Sequence, residues 1–224
     1  MGKITDITFQ KKDPKRVNIS IDGEFAFGFS VEAKFLNKLA VGESLSQAQI
    51  NRLVESDQIE RLINKAFKFL SFRPRSEKEV RDYLLRKGRI GEIEKSDTEK
   101  TRYEKSVEKV VQKLKNLDQI NDKEFASWLV EQRKRFRPRG NRLIKAELAQ
   151  KGIDKDIINE IAEENNQESE EELAIKAAQK KYTSYKKLNT NEFRTRLGQY
   201  LARRGFDWGT IKKVVDTLEQ KELK

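Results

Sequence analysis

Hydrophobic residues alternate with polar or small ones through the first thirty positions: Ile7 and Phe9, then Val17, Ile19 and Ile21, then Phe25, Phe27 and Phe29. A period of two sends successive side chains to opposite faces of an extended backbone, so this stretch is predicted to form strands. Asp22-Gly23 stands between the second and third runs, where a two-residue turn requires positive φ. Residues 16 to 29 therefore read as a hairpin, preceded by a first strand near residues 4 to 10. Three short strands are marginal alone, and the sheet is expected to lean on a helix carrying Val31, Phe35, Leu36 and Leu39 on one face. Ser46 with Gln49 forms a capping box that opens another helix.

From about residue 59 the period becomes 3.6, with Ile59, Leu62, Ile63, Ala66, Phe67 and Leu70 on one stripe. Arg73-Pro74-Arg75-Ser76 then breaks the helix, and Ser76 with Glu79 caps the next one, expected to end at Lys87-Gly88. After a polar insertion at residues 89 to 103, a third helix carries Val107, Val110, Val111, Leu114 and Leu117. The same unit recurs. A helix capped by Asn121 to Glu124 holds Phe125, Trp128 and Leu129, Arg137-Pro138-Arg139-Gly140 interrupts it, a second helix ends at Lys151-Gly152, and a third carries Ile157, Ile158 and Ile161. Proline and glycine are 14 residues apart in both copies. A third copy keeps only its back half, where Arg204-Gly205 closes a helix and Ile211, Val214, Val215 and Leu218 follow.

Aligning the three glycines puts Val80, Ile144 and Leu197 in one column and Leu84, Leu148 and Leu201 in another. The expected fold is mainly all-α: tandem three-helix repeats forming an elongated curved array, with a small N-terminal antiparallel β-sheet. The expected divisions are residues 1–58 (sheet plus two helices, an N-terminal cap), 59–117, 118–168 and 169–224.

Composition narrows the chemistry. Among 224 residues there is no His and no Cys, which removes imidazole bases, thiol nucleophiles, disulfides and nitrogen- or sulfur-ligated metals. No carboxylate constellation at defined spacing suggests a metal-dependent nuclease, so a non-enzyme without metal or cofactor is expected. The formal charge of +11 is uneven: residues 1–60 net −1, residues 61–117 net +8, residues 118–171 net −3 and residues 172–224 net +7. Clustered cations of this kind suit a polyanionic partner, because phosphates reward several charges along one track. The acidic run Glu160 to Glu172 reads as a helix continuing into a polar linker. No apolar stretch is long enough to cross a bilayer, and a soluble monomer of the cytoplasm is expected.

Each Arg-Pro-Arg turn has two readings. Proline stops one helix, the next begins, and the arginines pair with acids such as Glu77 or Glu79; or both turns emerge together and offer guanidiniums to phosphate or carboxylate. The last-turn pairs Arg86-Lys87, Gln150-Lys151 and Arg203-Arg204 sit where a helix macrodipole favours cations. Trp128 and Tyr83 fall at core spacing, whereas Trp208 fits the core least.

The run Arg-Pro-Arg-Ser-Glu-Lys-Glu-Val-Arg-Asp-Tyr-Leu (73 to 84), then Lys-Gly, Asp-Lys-Glu-Phe-Ala (122 to 126), Arg-Pro-Arg-Gly (137 to 140) and Leu-Ala-Gln-Lys-Gly-Ile (148 to 153), resembles the RecX family of recombinase regulators over residues 59 to 218. The resemblance implies a helical protein that binds the groove of a RecA filament on single-stranded DNA. There it would restrain filament growth, ATP hydrolysis, strand exchange and LexA cleavage, and so regulate recombination, DNA repair and the SOS response. Contacts to filament or to single- or double-stranded DNA are expected at Arg73, Arg75, Arg133, Arg135, Arg137, Arg139 and Arg142. Where the third repeat has Leu-Asn-Thr-Asn (188–191) instead of Arg-Pro-Arg, they are expected at Lys180, Lys181, Lys186, Lys187, Arg194, Arg196, Arg203 and Arg204. The N-terminal sheet lies outside the minimal family core and is expected to cap the array. The alternative is a general DNA-binding module of tandem helix-turn-helix-like units.

Overall fold

The computed structural model describes residues 1–89, 96–164 and 169–220, with the Arg89 side chain excepted. The chain opens with β1 (Gly2–Gln10), β2 (Asp13–Ile21) and β3 (Glu24–Ser30), then α1 (Val31–Leu36), β4 (Ser44–Leu45) and α2 (Gln47–Leu70). Eight helices follow: α3 (Glu77–Arg89), α4 (Asp97–Asn116), α5 (Asp122–Phe136), α6 (Asn141–Gln150), α7 (Lys155–Glu164), α8 (Glu170–Tyr185), α9 (Thr190–Arg203) and α10 (Trp208–Gln220). It is a mainly helical protein of tandem three-helix units with a small antiparallel sheet. It divides into two compact units, Met1–Phe72 with Val80–Gln119, and Arg73–Glu79 with Ile120–Lys224.

In the first unit the sheet order is β3-β2-β1-β4, all antiparallel. The β2–β3 hairpin turns at Asp22 and Gly23, whose φ values of 51° and 90° match the primed turn that strand twist favours. The two-residue β4 is too short for a periodic signal. Gly42, at φ 96°, donates its N–H to the Ile4 carbonyl, and Ile4 donates to the Glu43 carbonyl, which brings the chain back onto β1. One face of the sheet buries Ile4, Val17, Ile19, Phe27 and Phe29 with Leu39, Leu45 and Leu53.

Two expectations fail here. Phe35 and Leu36 do not pack on the sheet; they are 70% and 77% exposed, because α1 stops after six residues and Lys38, at φ 55°, turns only Leu39 inward. The helix opened by the Ser46–Gln49 box and the helix expected from residue 59 are one continuous 24-residue element, α2, so the expected division at 58/59 falls inside it. The polar run Glu55-Ser56-Asp57 does not break α2. Asp57 is buried instead, with Arg16 of β2 at 2.9 Å, and Lys109 of α4 meets Glu55 at 2.5 Å. α4 also begins earlier than expected, at Asp97, behind a second capping box of Ser96 and Glu99; residues 90–95 of the polar insertion lie outside the described residues.

The second unit holds two cores. Phe125, Ala126, Leu129 and Val130 of α5 pack with Ile144, Leu148, Ile153, Ile158 and Ile161. Leu173, Ala174, Ala177 and Ala178 of α8 pack with Phe193, Leu197 and Leu201 of α9, and with Ile211, Val214, Val215 and Leu218 of α10. The glycine-aligned columns are buried throughout: Val80, Ile144 and Leu197 at 0 to 4% exposure, Leu84, Leu148 and Leu201 at 0 to 1%. Trp128 is half-buried against the first of these cores and Trp208 is exposed. The acidic run divides between the end of α7 and the start of α8, where Ser169 and Glu172 form a capping box; residues 165–168 lie outside the described residues.

Candidate partner-binding surface

Every cation expected to contact filament or DNA lies in the second unit, and the fold sorts these residues into two groups. In the first turn, Arg73 forks onto Glu79 of α3 with bonds of 2.9 and 3.0 Å, donates to the Pro74 carbonyl, and lies over the Trp128 ring at 5.4 Å. Arg75 is half-buried; burial, together with the neighbouring Arg73 charge, pulls its guanidinium below the usual value, with Glu79 acting in the opposite sense. In the second turn, Arg139 bonds Glu147 at 2.9 Å, and Arg133 forks onto the same carboxylate at 2.6 and 2.9 Å. In the third repeat Arg194 is paired with Asp216 and Glu219, Arg204 lies over the Tyr200 ring, and Lys180 donates to the Phe136 carbonyl at the end of α5.

The second group projects into solvent. Arg135, Arg137, Arg142, Lys181, Lys186, Lys187, Arg196 and Arg203 are exposed and make no ion pair among the described residues, although Arg135 stacks on Phe136. Of the four guanidiniums expected to emerge together from the turns, Arg137 alone is exposed; Arg73, Arg75 and Arg139 are turned inward. For Arg73 and Arg139 the cause is the carboxylates. An arginine beside a half-buried acid gains charge-assisted hydrogen bonds that a solvated one lacks.

Glu79 and Glu147 are the residues the sequence reading undervalued. Burial pushes the Glu79 carboxyl up, and hydrogen bonds from Arg73 and from Lys151 at 2.6 Å more than reverse this, leaving it below its ordinary value. Glu147 is lowered by its hydrogen bonds to Arg133, against burial, with the Arg139 and Lys151 charges adding to the effect.

Lys151 belongs to a joint. Ser76, fully buried, donates its hydroxyl to the Lys151 carbonyl at 2.8 Å and accepts the Glu79 N–H, while Lys78 reaches the Gln150 carbonyl. The second joint repeats the first with other atoms: the Gly140 N–H donates to the Arg204 carbonyl at 2.9 Å. Ser76 and Gly140 both stand two residues after a turn proline, and Lys151 and Arg204 both directly precede a glycine at positive φ, Gly152 at 82° and Gly205 at 86°. The Arg-Pro-Arg turn of one repeat thus docks on the helix end of the next. Contact is close enough to require glycine, since a Cβ on Gly140 would lie 2.2 Å from the Gly205 carbonyl oxygen.

Gly88 departs from its expected role. It sits inside α3 rather than after it, and the Tyr103 ring of α4 covers it, so that a Cβ there would meet the ring at 2.2 Å. The Tyr103 hydroxyl donates to the Leu84 carbonyl at 2.9 Å. Leu188–Asn191, which lacks the turn, supplies only Asn189 as the N-cap of α9.

No group of three or more His, Cys, Asp or Glu able to hold a metal occurs among the described residues, and no described helix is long and apolar enough to cross a membrane.

Comparison with known proteins adds an independent line. Residues 2–46 match the family model described as the regulatory protein RecX N-terminal domain, so the sheet expected outside the family core is itself a family element. Residues 63–89, 121–161 and 168–215 match the first, second and third RecX three-helix domains. A regulatory protein RecX of Bacillus subtilis (strain 168) is 31% identical over 219 residues, covering 98% of this chain and 78% of that protein. The namesake from Bacillus velezensis is 33% identical with the same coverage. One from Listeria monocytogenes serotype 4a is 35% identical over 176 residues, and the match spans 61% of its length. A crystal structure of a regulatory protein RecX superposes with a TM-score of 0.65 at 26% identity, over 96% of this chain and all of that one. A RecX structure from Lactobacillus salivarius, 24% identical, shares the fold with a TM-score of 0.55 over 74% of this chain and 99% of that one.

Proposed function

Because the chain belongs to the RecX family of regulatory proteins, we propose that it binds a RecA-type recombinase filament on single-stranded DNA and restrains its growth. Restraint of the filament lowers the activities that depend on it: DNA-dependent ATP hydrolysis, strand exchange and coprotease cleavage. The protein acts by binding, as a monomer of the cytoplasm, without metal or cofactor. The observation that supports this reading is the set of exposed cations in the second unit, Arg135, Arg137, Arg142, Lys181, Lys186, Lys187, Arg196 and Arg203, whereas Arg73, Arg133, Arg139 and Arg194 are already neutralised by Glu79, Glu147, Asp216 and Glu219. Cations left over after internal pairing are those available to an anionic partner.

The test is inhibition of the cognate recombinase's DNA-dependent ATPase at substoichiometric amounts of this protein. Absence of inhibition with intact binding to bare DNA sinks the filament reading. The same exposed cations also suit a general DNA-binding module, and salt separates the two. Binding that rests on phosphates alone falls by orders of magnitude between ~50 and ~200 mM salt, whereas binding to a shape-matched protein filament persists.

A further inference from the structure

The first unit contains a cavity of about 510 Å³ lined by β3, α2 and the end of α3, with Tyr103 of α4 closing one side. Its wall carries Arg61 and Lys65, one turn apart on α2, and Lys87 from α3. Phe25 stands at the rim, 66% exposed. Asp57 lies in the wall, only 6% exposed, with Oδ2 held by Arg16 at 2.9 Å and Oδ1 enclosed by protein. A second hollow shares Phe25, Gly28, Arg61 and Lys65 with it and carries acids of its own, Asp13, Glu32 and Glu60.

These features are hard to reconcile with an idle surface. The one carboxylate in the lining is already neutralised by Arg16, so Arg61 and Lys87 face no free acid within the cavity, whether or not Lys65 is counted. An uncompensated basic hollow attracts an anion, and a guanidinium suits a phosphate in particular. A simple anion leaves one feature unused, the apolar Phe25 ring held in solvent. A planar base answers it by stacking. The volume falls within the range typical of small-ligand sites.

We propose that this cavity is a nucleotide site, which takes a phosphate on Arg61 and Lys87 and a base on Phe25. The nucleotide is either free or one unit of a single strand, and the experiment separates these sources. The full chain is titrated with fluorescent ATP and, separately, with a labelled oligodeoxyadenosine, each in competition with inorganic tripolyphosphate. At least one probe binds; Arg61→Glu weakens that binding tenfold or more, and Phe25→Ala weakens it several-fold without loss of helical circular dichroism. Binding of ATP alone identifies a free nucleotide, and binding of the oligonucleotide alone identifies a strand. The proposal is overturned if neither probe binds, if tripolyphosphate displaces the probe as effectively as unlabelled ATP does, or if Arg61→Glu has no effect. The site is separate from the filament reading: Arg137→Glu leaves it unchanged, so the two stand or fall independently.

Discussion

Glu79 and Glu147 each neutralise two cations in a half-buried setting, and their chemistry fixes how the second unit responds to acid. Both carboxyls are held below their ordinary value of 4.5, so each is more easily protonated in the unfolded chain than in the folded one. Their stabilisation is complete above that value and disappears as pH falls through the lowered folded values. Urea unfolding should therefore show stability declining below pH 4.5, and Glu79→Gln should flatten part of that decline. At neutral pH the same substitution should cost about 1.5–3 kcal/mol, the worth of a hydrogen bond to a charged group. A variant as stable as the parent at neutral pH would show that the Arg73–Glu79–Lys151 cluster is loose. Gly140→Ala tests the joint by sterics alone, because φ at Gly140 is −66° and alanine meets no backbone strain there. The expected cost is about 1–3 kcal/mol, as for overpacking in a tight core, read as a fall in melting temperature. The pairing of Arg73 with Glu79 was readable from sequence, since six residues around a turn leave few alternatives. Lys151 lies 72 residues from Glu79, and no local pattern announces that meeting.

At the level of elements, the periodic and capped segments were the legible ones. The β2–β3 hairpin followed from Asp22-Gly23, and the buried columns of the repeats followed from alignment on glycine. The continuity of α2 was hidden because an acidic, hydroxylated stretch usually marks a helix boundary, and here Asp57 is buried against an arginine 41 residues away. Ser56→Pro distinguishes the two cases: in a continuous helix proline removes a backbone hydrogen bond and clashes with the preceding turn, costing about 3 kcal/mol or more. A cost under about 1 kcal/mol, on the scale of an ordinary surface substitution, would indicate a break near that point. The Gly88 role was misjudged because Lys-Gly is a common helix terminator, and only Tyr103, from the far side of the polar insertion, shows that the glycine admits a ring. Tyr103→Phe keeps the ring and loses the hydroxyl bond to Leu84, so it should cost about 0.5–1.5 kcal/mol and increase amide exchange in the last turn of α3.

For the molecule as a whole, a charge of +11 proved a poor guide to which cations are available, since Arg73, Arg133, Arg139 and Arg194 among the candidates spend their charge in internal ion pairs. Charge reversal now divides into two experiments. Arg137→Glu should leave the melting temperature within about 1–2 °C while weakening filament binding, because surface changes away from paired groups alter stability by about 0.5 kcal/mol or less. Arg73→Glu should lower the melting temperature, since it places a like charge beside Glu79, and any loss of binding in that variant is uninterpretable without the thermal measurement. Unchanged filament affinity in Arg137→Glu would remove the second turn from the interface. The two joints, finally, share a plan and differ in their atoms: one is closed by a serine hydroxyl, the other by a bare peptide N–H with no space for any side chain. They act as keys of different cut. A chain with its repeats shuffled would bring the serine to the lock shaped for glycine, so the order of the repeats along the gene is itself written into the fit, and exchanging them should fail at the seams even where every helix folds.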